Sequence, residues 1–245
     1  VAGIVAAAQD GPMKLVLAPA DCTMQHLLVR QRGLLERLRS SDGPQQQEEG
    51  DLGSQLRALQ LRLLGLVLHA ARGTAALHDR GVFHQGLSPL AVLVKATAAG
   101  DVALLSGFGL GAAGRASYCT LSLAGSGPDG LEPLHVLKYR APELNAGIAG
   151  DDYAHFAAAD VYSLGVMLNT VLAGAEPFPD ATSRAAVCEL ARHGDEAVRT
   201  PRLFDAAAAP GLLVDAAGVP RQDVAEELQR LVGGCFVAWG RRISL

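Results

Sequence analysis

The chain has 245 residues, which is enough to bury the core of one large domain or of two small ones. Apolar residues make up 49% and charged residues 19% of the sequence, and this balance excludes a disordered or fibrous chain. The net charge of −4 gives no general attraction for nucleic acids or anionic membranes, so we expect no nucleic-acid partner.

The first third of the chain predicts a hairpin followed by two helices. Two apolar runs, residues 1–8 and 13–18, flank the turn sequence QDGP and predict a β-hairpin with a four-residue loop. Leucines at three- and four-residue steps predict a helix over residues 24–38. Residues 54–78 keep one apolar face and predict a long second helix. Between the two helices, the polar run 40–53 has no apolar face and predicts a disordered surface insert.

The remainder of the chain predicts short strands, an irregular segment and three further helices. Apolar runs predict strands at residues 81–84, 91–95 and 102–105. Seven glycines between residues 106 and 137 interrupt any periodicity and predict a long irregular segment. Helices are predicted at residues 161–172, 183–193 and 222–232, the first of them apolar nearly all round and hence buried. A small β-structured start followed by a mostly helical body is an α+β fold class.

Neither a membrane span nor a zinc site is indicated. The best apolar stretch, residues 61–77, is interrupted by two arginines and a histidine, so we predict no transmembrane segment. The first residues also lack the basic leader of a signal sequence. The cysteines contain no C-x-x-C pair, which disfavours structural zinc and leaves one or two disulfides open. They are Cys22, Cys119, Cys188 and Cys235.

Five short motifs follow one another in the order in which protein kinases carry them. They are LHDRGVFHQGLSPLAVLV at residues 77–94, VALLSGFGL at 102–110, KYRAPEL at 138–144, DVYSLG at 160–165 and RIS at 242–244. In kinases these positions hold the catalytic loop, the metal-binding turn, the end of the activation segment, the start of the central helix and an arginine near the end of the fold. The chain therefore resembles the protein kinase superfamily from residue 77 onward.

This resemblance implies a kinase-like fold in two parts. Residues 1–20 would be the hinge and a partial small lobe, its fourth and fifth strands, and residues 21–245 would be the mostly helical large lobe. Within the large lobe, the insert around residues 40–53 would be disordered and residues 107–143 would form a long activation segment. The glycine-rich loop, the third-strand lysine and the regulatory helix would precede Val1, and the last helix would follow Leu245. We therefore expect a core piece of a longer kinase-like protein.

The positions that carry kinase chemistry are replaced. Phosphoryl transfer needs a carboxylate to orient the attacking hydroxyl and divalent metal to absorb charge. On the kinase alignment, the catalytic aspartate falls on Gly86, the assisting lysine on Ser88, the metal-binding asparagine on Ala91 and the metal-binding aspartate on Gly107. Glycine and alanine can neither accept a proton nor bind magnesium. The resemblance is therefore to a degenerate kinase, a pseudokinase, for which we expect no catalytic residue, no cofactor and no magnesium. ATP binding stays open, because the elements that grip the nucleotide would precede this chain.

Other kinase landmarks are retained, and their roles in the family are structural: His84, Phe108, Gly109, Pro142, Glu143, Asp160, Gly165 and Arg242. The resemblance implies that His84 and Phe108 pack in the hydrophobic spine. It also implies that Asp160 caps the central helix and ties it to the catalytic-loop backbone, and that Glu143 and Arg242 form a buried ion pair. Because packing residues are kept while chemistry residues are lost, we expect a binding, scaffold or allosteric module. Its expected partner is a protein, such as an active kinase.

A narrower resemblance concerns the long second helix and the metal-binding turn. The stretch 56–84, which contains LQLRLLGLVLHAARGTAALHDRGVFH, and SGF at 106–108 in place of D-F-G, resemble the rhoptry kinase family of apicomplexan parasites. KYRAPEL departs from that family and is closer to ordinary kinases. The narrower resemblance implies a secreted protein that acts in the rhoptry, the parasitophorous vacuole or the host cell. Without it, a cytoplasmic protein is expected.

Two alternatives stay open. GLGAAG at residues 109–114, with Asp129 about 20 residues after its first glycine, satisfies the G-x-G-x-x-G dinucleotide pattern, which would need a helix directly after the glycines. The second alternative is an atypical active serine/threonine kinase that uses ATP with residues supplied by an upstream lobe. Asp79 and Asp101 are the acids nearest to the lost carboxylates. Register puts Asp79 just before the turn into Gly81 and Asp101 just before a strand, so we expect neither to substitute.

Overall fold

Helices dominate the part of the chain that the structure describes. This computed structural model describes residues 4–8, 14–17, 19–40, 46–107, 112–113, 134–145, 153–192 and 222–237. Its helices are α1 (Met24–Ser40), α2 (Gln46–His78), α3 (Leu134–Leu137), α4 (Pro142–Asn145), α5 (Tyr153–Ala173), α6 (Arg184–Arg192) and α7 (Gln222–Phe236). The helices predicted at 24–38, 183–193 and 222–232 are confirmed as α1, α6 and α7, with ends that differ by a few residues.

The described strands form three small antiparallel sheets. β1 (Ile4–Ala8) pairs with β2 (Lys14–Leu17), which confirms the first predicted hairpin, although its turn lies outside the described residues. A second sheet has the order β3 (Cys22–Thr23), β5 (Val92–Thr97) and β6 (Gly100–Leu105). β4 (Val82–Phe83) pairs with β7 (Ala112–Ala113). Short strands beside long helices make an α+β arrangement, as predicted.

The helix α2 begins at Gln46, eight residues before its predicted start. The prediction of a disordered insert around residues 40–53 is therefore wrong for residues 46–53, while residues 41–45 lie outside the described part. Leu52 is buried and extends the apolar face of Leu56 by one turn. The Gln55 side chain also donates a 2.8 Å hydrogen bond to Asp51, one turn earlier. Glutamine and glutamate are good helix formers, so the helix continues through this polar run.

The helix α5 begins at Tyr153, eight residues before the predicted helix at 161–172. Alanine has the highest helix propensity, and the alanines that precede Asp160 extend the helix toward its N-terminus. Asp160 therefore lies inside the helix, and the expectation that it caps the helix start is wrong. Its carboxylate contacts a different part of the chain.

The core lies around the contact between α2 and α5. α1 and β6 pack on α2, and α7 packs on the other helix, α5. The centre of α2 contributes Leu63 and Leu66, while α5 contributes Val166 and Met167, all of them almost inaccessible to solvent. Burying a side chain of this size stabilises the fold by about 1.5–3 kcal/mol.

α5 is both the most apolar helix and the most enclosed one in this core. Residues Ala154–Ala173 are long and apolar enough to cross a membrane, but 78% of the most apolar window is buried inside the protein. The helix is followed by Gly174 at a φ of 64°, a conformation that glycine adopts without strain. α5 therefore has the environment of a core helix.

Candidate functional site

The loop that joins β4 to β5 is built around the carboxylate of Asp160. Asp160 is fully buried. Its Oδ2 accepts a 2.8 Å hydrogen bond from the backbone N–H of His84, and its Oδ1 accepts one of 2.6 Å from that of Gln85. Gln85 has a φ of 58°, which is strained for a side chain of this type. Hydrogen bonds to a charged acceptor contribute about 1.5–3 kcal/mol, enough to hold this turn.

His78 is a third partner of Asp160. Its Nε2 lies 3.0 Å from Oδ2 of Asp160, at the end of α2. The backbone of the loop and the end of α2 are thus joined to the middle of α5 through one carboxylate. No local sequence pattern marks this pair, because 82 residues separate His78 from Asp160.

His84 links the same loop to the end of β6. Its Nε2 donates a 2.7 Å hydrogen bond to the carbonyl of Ser106, and its Nδ1 accepts one of 3.4 Å from the N–H of Gly86. One nitrogen donates and the other accepts, which is the pattern of a neutral imidazole. Burial lowers the pKa of His84 below its usual 6.5, although the charge of Asp160 opposes the shift. His84 therefore acts as a neutral packing residue here.

Gly86, Ser88, Ala91 and Gly107, where the kinase resemblance predicts lost catalytic residues, lie close together in this loop and the adjoining β5–β6 pair. Ser106 donates two hydrogen bonds to the Ala91 carbonyl, one from its N–H and one from its hydroxyl. A Cβ placed on Gly107 would lie 3.7 Å from the Cβ of Ala91, so these two positions are neighbours. Ser88 is buried and accepts a hydrogen bond from the N–H of Ala91. Gly86 is held by His84, and none of the four positions carries a carboxylate.

The two acids considered as substitutes for the lost carboxylates, Asp79 and Asp101, do not take their place. Asp79 is exposed in the turn after α2. Asp101 lies within β6, not before it as expected, and forms an ion pair with Arg62 of α2. Within the described ranges, no group of three or more His, Cys, Asp or Glu side chains is arranged to hold a metal ion.

The KYRAPEL segment is anchored by charge and by burial. Glu176, which follows α5, accepts a 2.5 Å hydrogen bond from Arg32 of α1 and lies 3.8 Å from Nζ of Lys138. Burial raises the pKa of Tyr139 to about 12, so it stays a neutral phenol. These contacts join α1, the segment between α3 and α4, and the loop after α5. No sequence pattern predicts these contacts, since Arg32 and Glu176 are 144 residues apart.

The remaining kinase landmarks are divided between the described residues and the rest of the chain. Phe108, Gly109 and Arg242 lie outside the described residues, so the hydrophobic spine and the ion pair of Glu143 with Arg242 stay predictions. Pro142 and Glu143 begin the short helix α4 and are buried. α3 and α4 are regular elements within the segment 107–143 that was expected to be irregular.

The structure bears on two questions that the sequence leaves open, the dinucleotide-binding pattern and the state of the cysteines. Ala112 and Ala113, inside the GLGAAG pattern, form strand β7 and pair with β4, whereas the glycines of a dinucleotide-binding fold lead directly into a helix, so the dinucleotide interpretation is disfavoured. Among the cysteines that the structure describes, Cys22, Cys188 and Cys235 form no disulfide with one another.

Two curated proteins are similar to part of this chain. The serine/threonine-protein kinase pkn2 of Myxococcus xanthus is 33% identical over 117 residues, which are 48% of this chain and 13% of that protein. The ovarian-specific serine/threonine-protein kinase Lok of Drosophila melanogaster is 36% identical over 104 residues, 42% of this chain and 19% of that protein. No protein-family model matches the chain. The chain spans less than a fifth of the length of each of these relatives, and the matched part supports a protein-kinase-like superfamily.

Proposed function

We propose that this chain is the core of a kinase-like domain that does not transfer phosphate and acts instead as a binding, scaffold or allosteric module. The observation that carries the proposal is that one loop keeps its structural hydrogen bonds but lacks catalytic carboxylates. Asp160 still holds the backbone of His84 and Gln85, while Gly86 and Gly107 stand where kinases carry carboxylates.

The contrast has a direct chemical consequence. Without a carboxylate at position 86, no side chain there orients or deprotonates a substrate hydroxyl. Without a carboxylate at position 107 or an amide at position 91, magnesium loses the oxygen ligands that this unit supplies in kinases. What the unit keeps are its packing contacts, and these hold the loop in one shape. A kinase-shaped surface without the chemistry is suited to binding another protein.

The proposal is tested with the full-length protein, radiolabelled ATP and either magnesium or manganese. We expect no labelling of the protein or of a generic substrate above the level seen with excess non-hydrolysable ATP analogue. Labelling that the analogue abolishes would show phosphoryl transfer and overturn the proposal. The scaffold role is tested by pull-down from the native setting, where the absence of any stoichiometric partner argues against it.

An atypical active kinase is the second candidate, because both similar proteins are named as serine/threonine-protein kinases. It would use ATP, with the missing charged groups supplied from an upstream lobe. A melting-temperature series with ATP alone, magnesium alone and both together separates the candidates. Stabilisation by ATP that magnesium does not increase fits a nucleotide-binding pseudokinase, whereas strict dependence on magnesium fits the active kinase.

The setting in which the protein acts is also a proposal. The resemblance of residues 56–84 and 106–108 to rhoptry kinases favours a secreted protein over a cytoplasmic one. Immunolocalisation of the native protein tests this directly, and a purely cytoplasmic signal would contradict it.

A further inference from the structure

An exposed apolar stripe runs along the outer face of α2. Leu61 and Leu68 are 57% and 50% exposed, although they lie in the middle of a helix whose opposite face is buried in the core. Together with Gly65 they recur at steps of four and three residues, so they share one face of the helix. The two leucines are about 10 Å apart along the helix axis.

An arginine bounds this stripe at each end. Arg57 and Arg72 continue the same spacing, are exposed, and have no ionic or hydrogen-bonding partner among the described residues. No acidic residue occurs between positions 52 and 78. Arg62, the other arginine of this stretch, is already paired with Asp101. The stripe is therefore apolar in its centre and positively charged at both ends.

Gly65 makes a shallow recess between the two leucines. A Cβ placed there would meet no other atom within 4 Å. The α2 backbone is thus open to close approach at this point, as it is where two helices pack through a small residue.

We propose that the α2 stripe (Arg57, Leu61, Gly65, Leu68 and Arg72) binds an acidic amphipathic helix of a partner protein. The partner's apolar side chains would cover the two leucines, and its carboxylates would pair with the terminal arginines. This rests on the proposed function of a protein-binding module and names the chemistry of the partner. The stripe spans about 22 Å, so a partner helix of about 15 residues covers it.

The charges of the α2 stripe argue against a second copy of this chain as its occupant, and the shape of the stripe argues against a membrane. A second copy of this chain, packed antiparallel across Gly65, would bring Arg57 of one copy against Arg72 of the other. An anionic membrane would need apolar side chains that project and insert. Here the opposite face of α2 is fixed in the core, and only two leucines flank a recess.

The test is a selection from a displayed library of helical peptides of about 20 residues, randomised on one face. The full 245-residue chain is the bait, and the Leu61→Ser/Leu68→Ser variant is used for counter-selection. We expect the selected peptides to carry apolar residues at three- and four-residue steps with flanking Glu or Asp. In fluorescence anisotropy, their affinity should fall about tenfold with the leucine variant and about tenfold with Arg57→Glu/Arg72→Glu.

Charge reversal supplies the decisive comparison. A selected peptide with Lys in place of its acids should bind the Arg57→Glu/Arg72→Glu variant better than the native chain. The matched control is Arg230→Glu/Leu231→Ser on α7, which changes an exposed arginine and a 44% exposed leucine. This control variant should bind the selected peptides as tightly as the native chain does. All changed side chains are exposed, so urea unfolding curves of the variants should overlay the native curve.

Three results would overturn the proposal. The first is a selection that yields no peptide dependent on the two leucines, or one that yields basic peptides. The second is leucine-dependent sedimentation with phosphatidylserine vesicles in place of peptide binding. The third is a dimer in solution that the leucine variant abolishes. Failure of the proposed function is seen separately, because ATP labelling by the full-length protein does not depend on whether this stripe binds peptides.

Discussion

Asp160 is the residue on which the loop between β4 and β5 depends. Its carboxylate satisfies two buried backbone N–H groups and faces His78. We expect Asp160→Ala to lower the free energy of unfolding by about 3–5 kcal/mol, because the N–H groups lose their acceptor and the strained turn at Gln85 loses its support. Urea denaturation followed by circular dichroism measures this loss.

The control for that change is Asp79→Ala. Asp79 is exposed in the turn that ends α2, only one position from His78. Removing its carboxylate should change stability by less than about 0.5 kcal/mol. If both variants lost the same small amount, Asp160 would not be the support of this loop.

The lowered pKa of His84 predicts how the free energy of unfolding depends on pH. Burial lowers its folded-state pKa below 6.5, so the unfolded chain binds a proton more readily than the folded protein. The free energy of unfolding should therefore fall as the pH drops through about 6.5 and should be insensitive to this group at higher pH. His84→Gln keeps a hydrogen-bond donor but cannot titrate, so its stability should depend less on pH over this window.

His135 contributes in the same direction, since burial also lowers its pKa. The comparison is therefore made between the native chain, His84→Gln and His135→Gln. An equal pH dependence in the native chain and His84→Gln would contradict the role given to His84.

At the scale of elements, the contact between α5 and α7 depends on the absence of a side chain. A Cβ placed on Gly165 would overlap the Cβ of Cys235 and lie 3.2 Å from the Phe236 ring. The Cβ of Cys235 is fixed to the backbone and cannot move aside without shifting α7. We expect Gly165→Ala to destabilise the protein by about 1–3 kcal/mol in urea denaturation.

Gly233 on the facing helix is the matched control. A Cβ placed there would meet no atom within 4 Å. Alanine is the better helix former, so Gly233→Ala should stabilise the protein by about 0.5–1 kcal/mol. Opposite signs for the two glycine-to-alanine changes are expected, and two destabilising changes of similar size would argue against the close packing at Gly165.

At the scale of the whole molecule, Glu176 joins three distant parts of the chain through Arg32 and Lys138. The hydrogen bond from Arg32 lowers the pKa of Glu176 below its usual 4.5, so this contribution is present above about pH 4.5 and lost below it. The Glu176 side chain is 45% exposed, so solvent screens the interaction. Glu176→Gln should cost about 1 kcal/mol or less, and less still at high salt.

The comparison for this change is Glu227→Gln on α7. Glu227 pairs only locally with Arg230, and both side chains are largely exposed. Glu227→Gln should lower the free energy of unfolding by close to zero in the same thermal or urea unfolding series. A Glu176→Gln effect no larger than that of Glu227→Gln would mean that the ion pairs of Glu176 do not help to hold the segment between α3 and α4.

Periodicity and turn chemistry were enough to predict the first hairpin, α1, the β5–β6 pair, α6, α7 and the α+β class. Each of these has a local cause: apolar residues at the spacing of one face, with turn residues on either side. Helix starts were predicted less well, because the polar residues before Leu52 and the alanines before Asp160 carry helix propensity without an apolar pattern. The prediction that Gly86, Ser88, Ala91 and Gly107 replace catalytic residues depends on the kinase resemblance alone.

The pairing of polar groups followed from the tertiary structure instead. His78 meets Asp160, and Arg32 meets Glu176, across 82 and 144 residues of sequence. Such pairs leave no periodic signal, because each depends on where two whole elements come to lie. The exposed face of α2 is a similar case. Its leucines are part of an apolar pattern that looks continuous in the sequence, and only the packing of α1, α5 and β6 on the other sides of the helix leaves them at the surface.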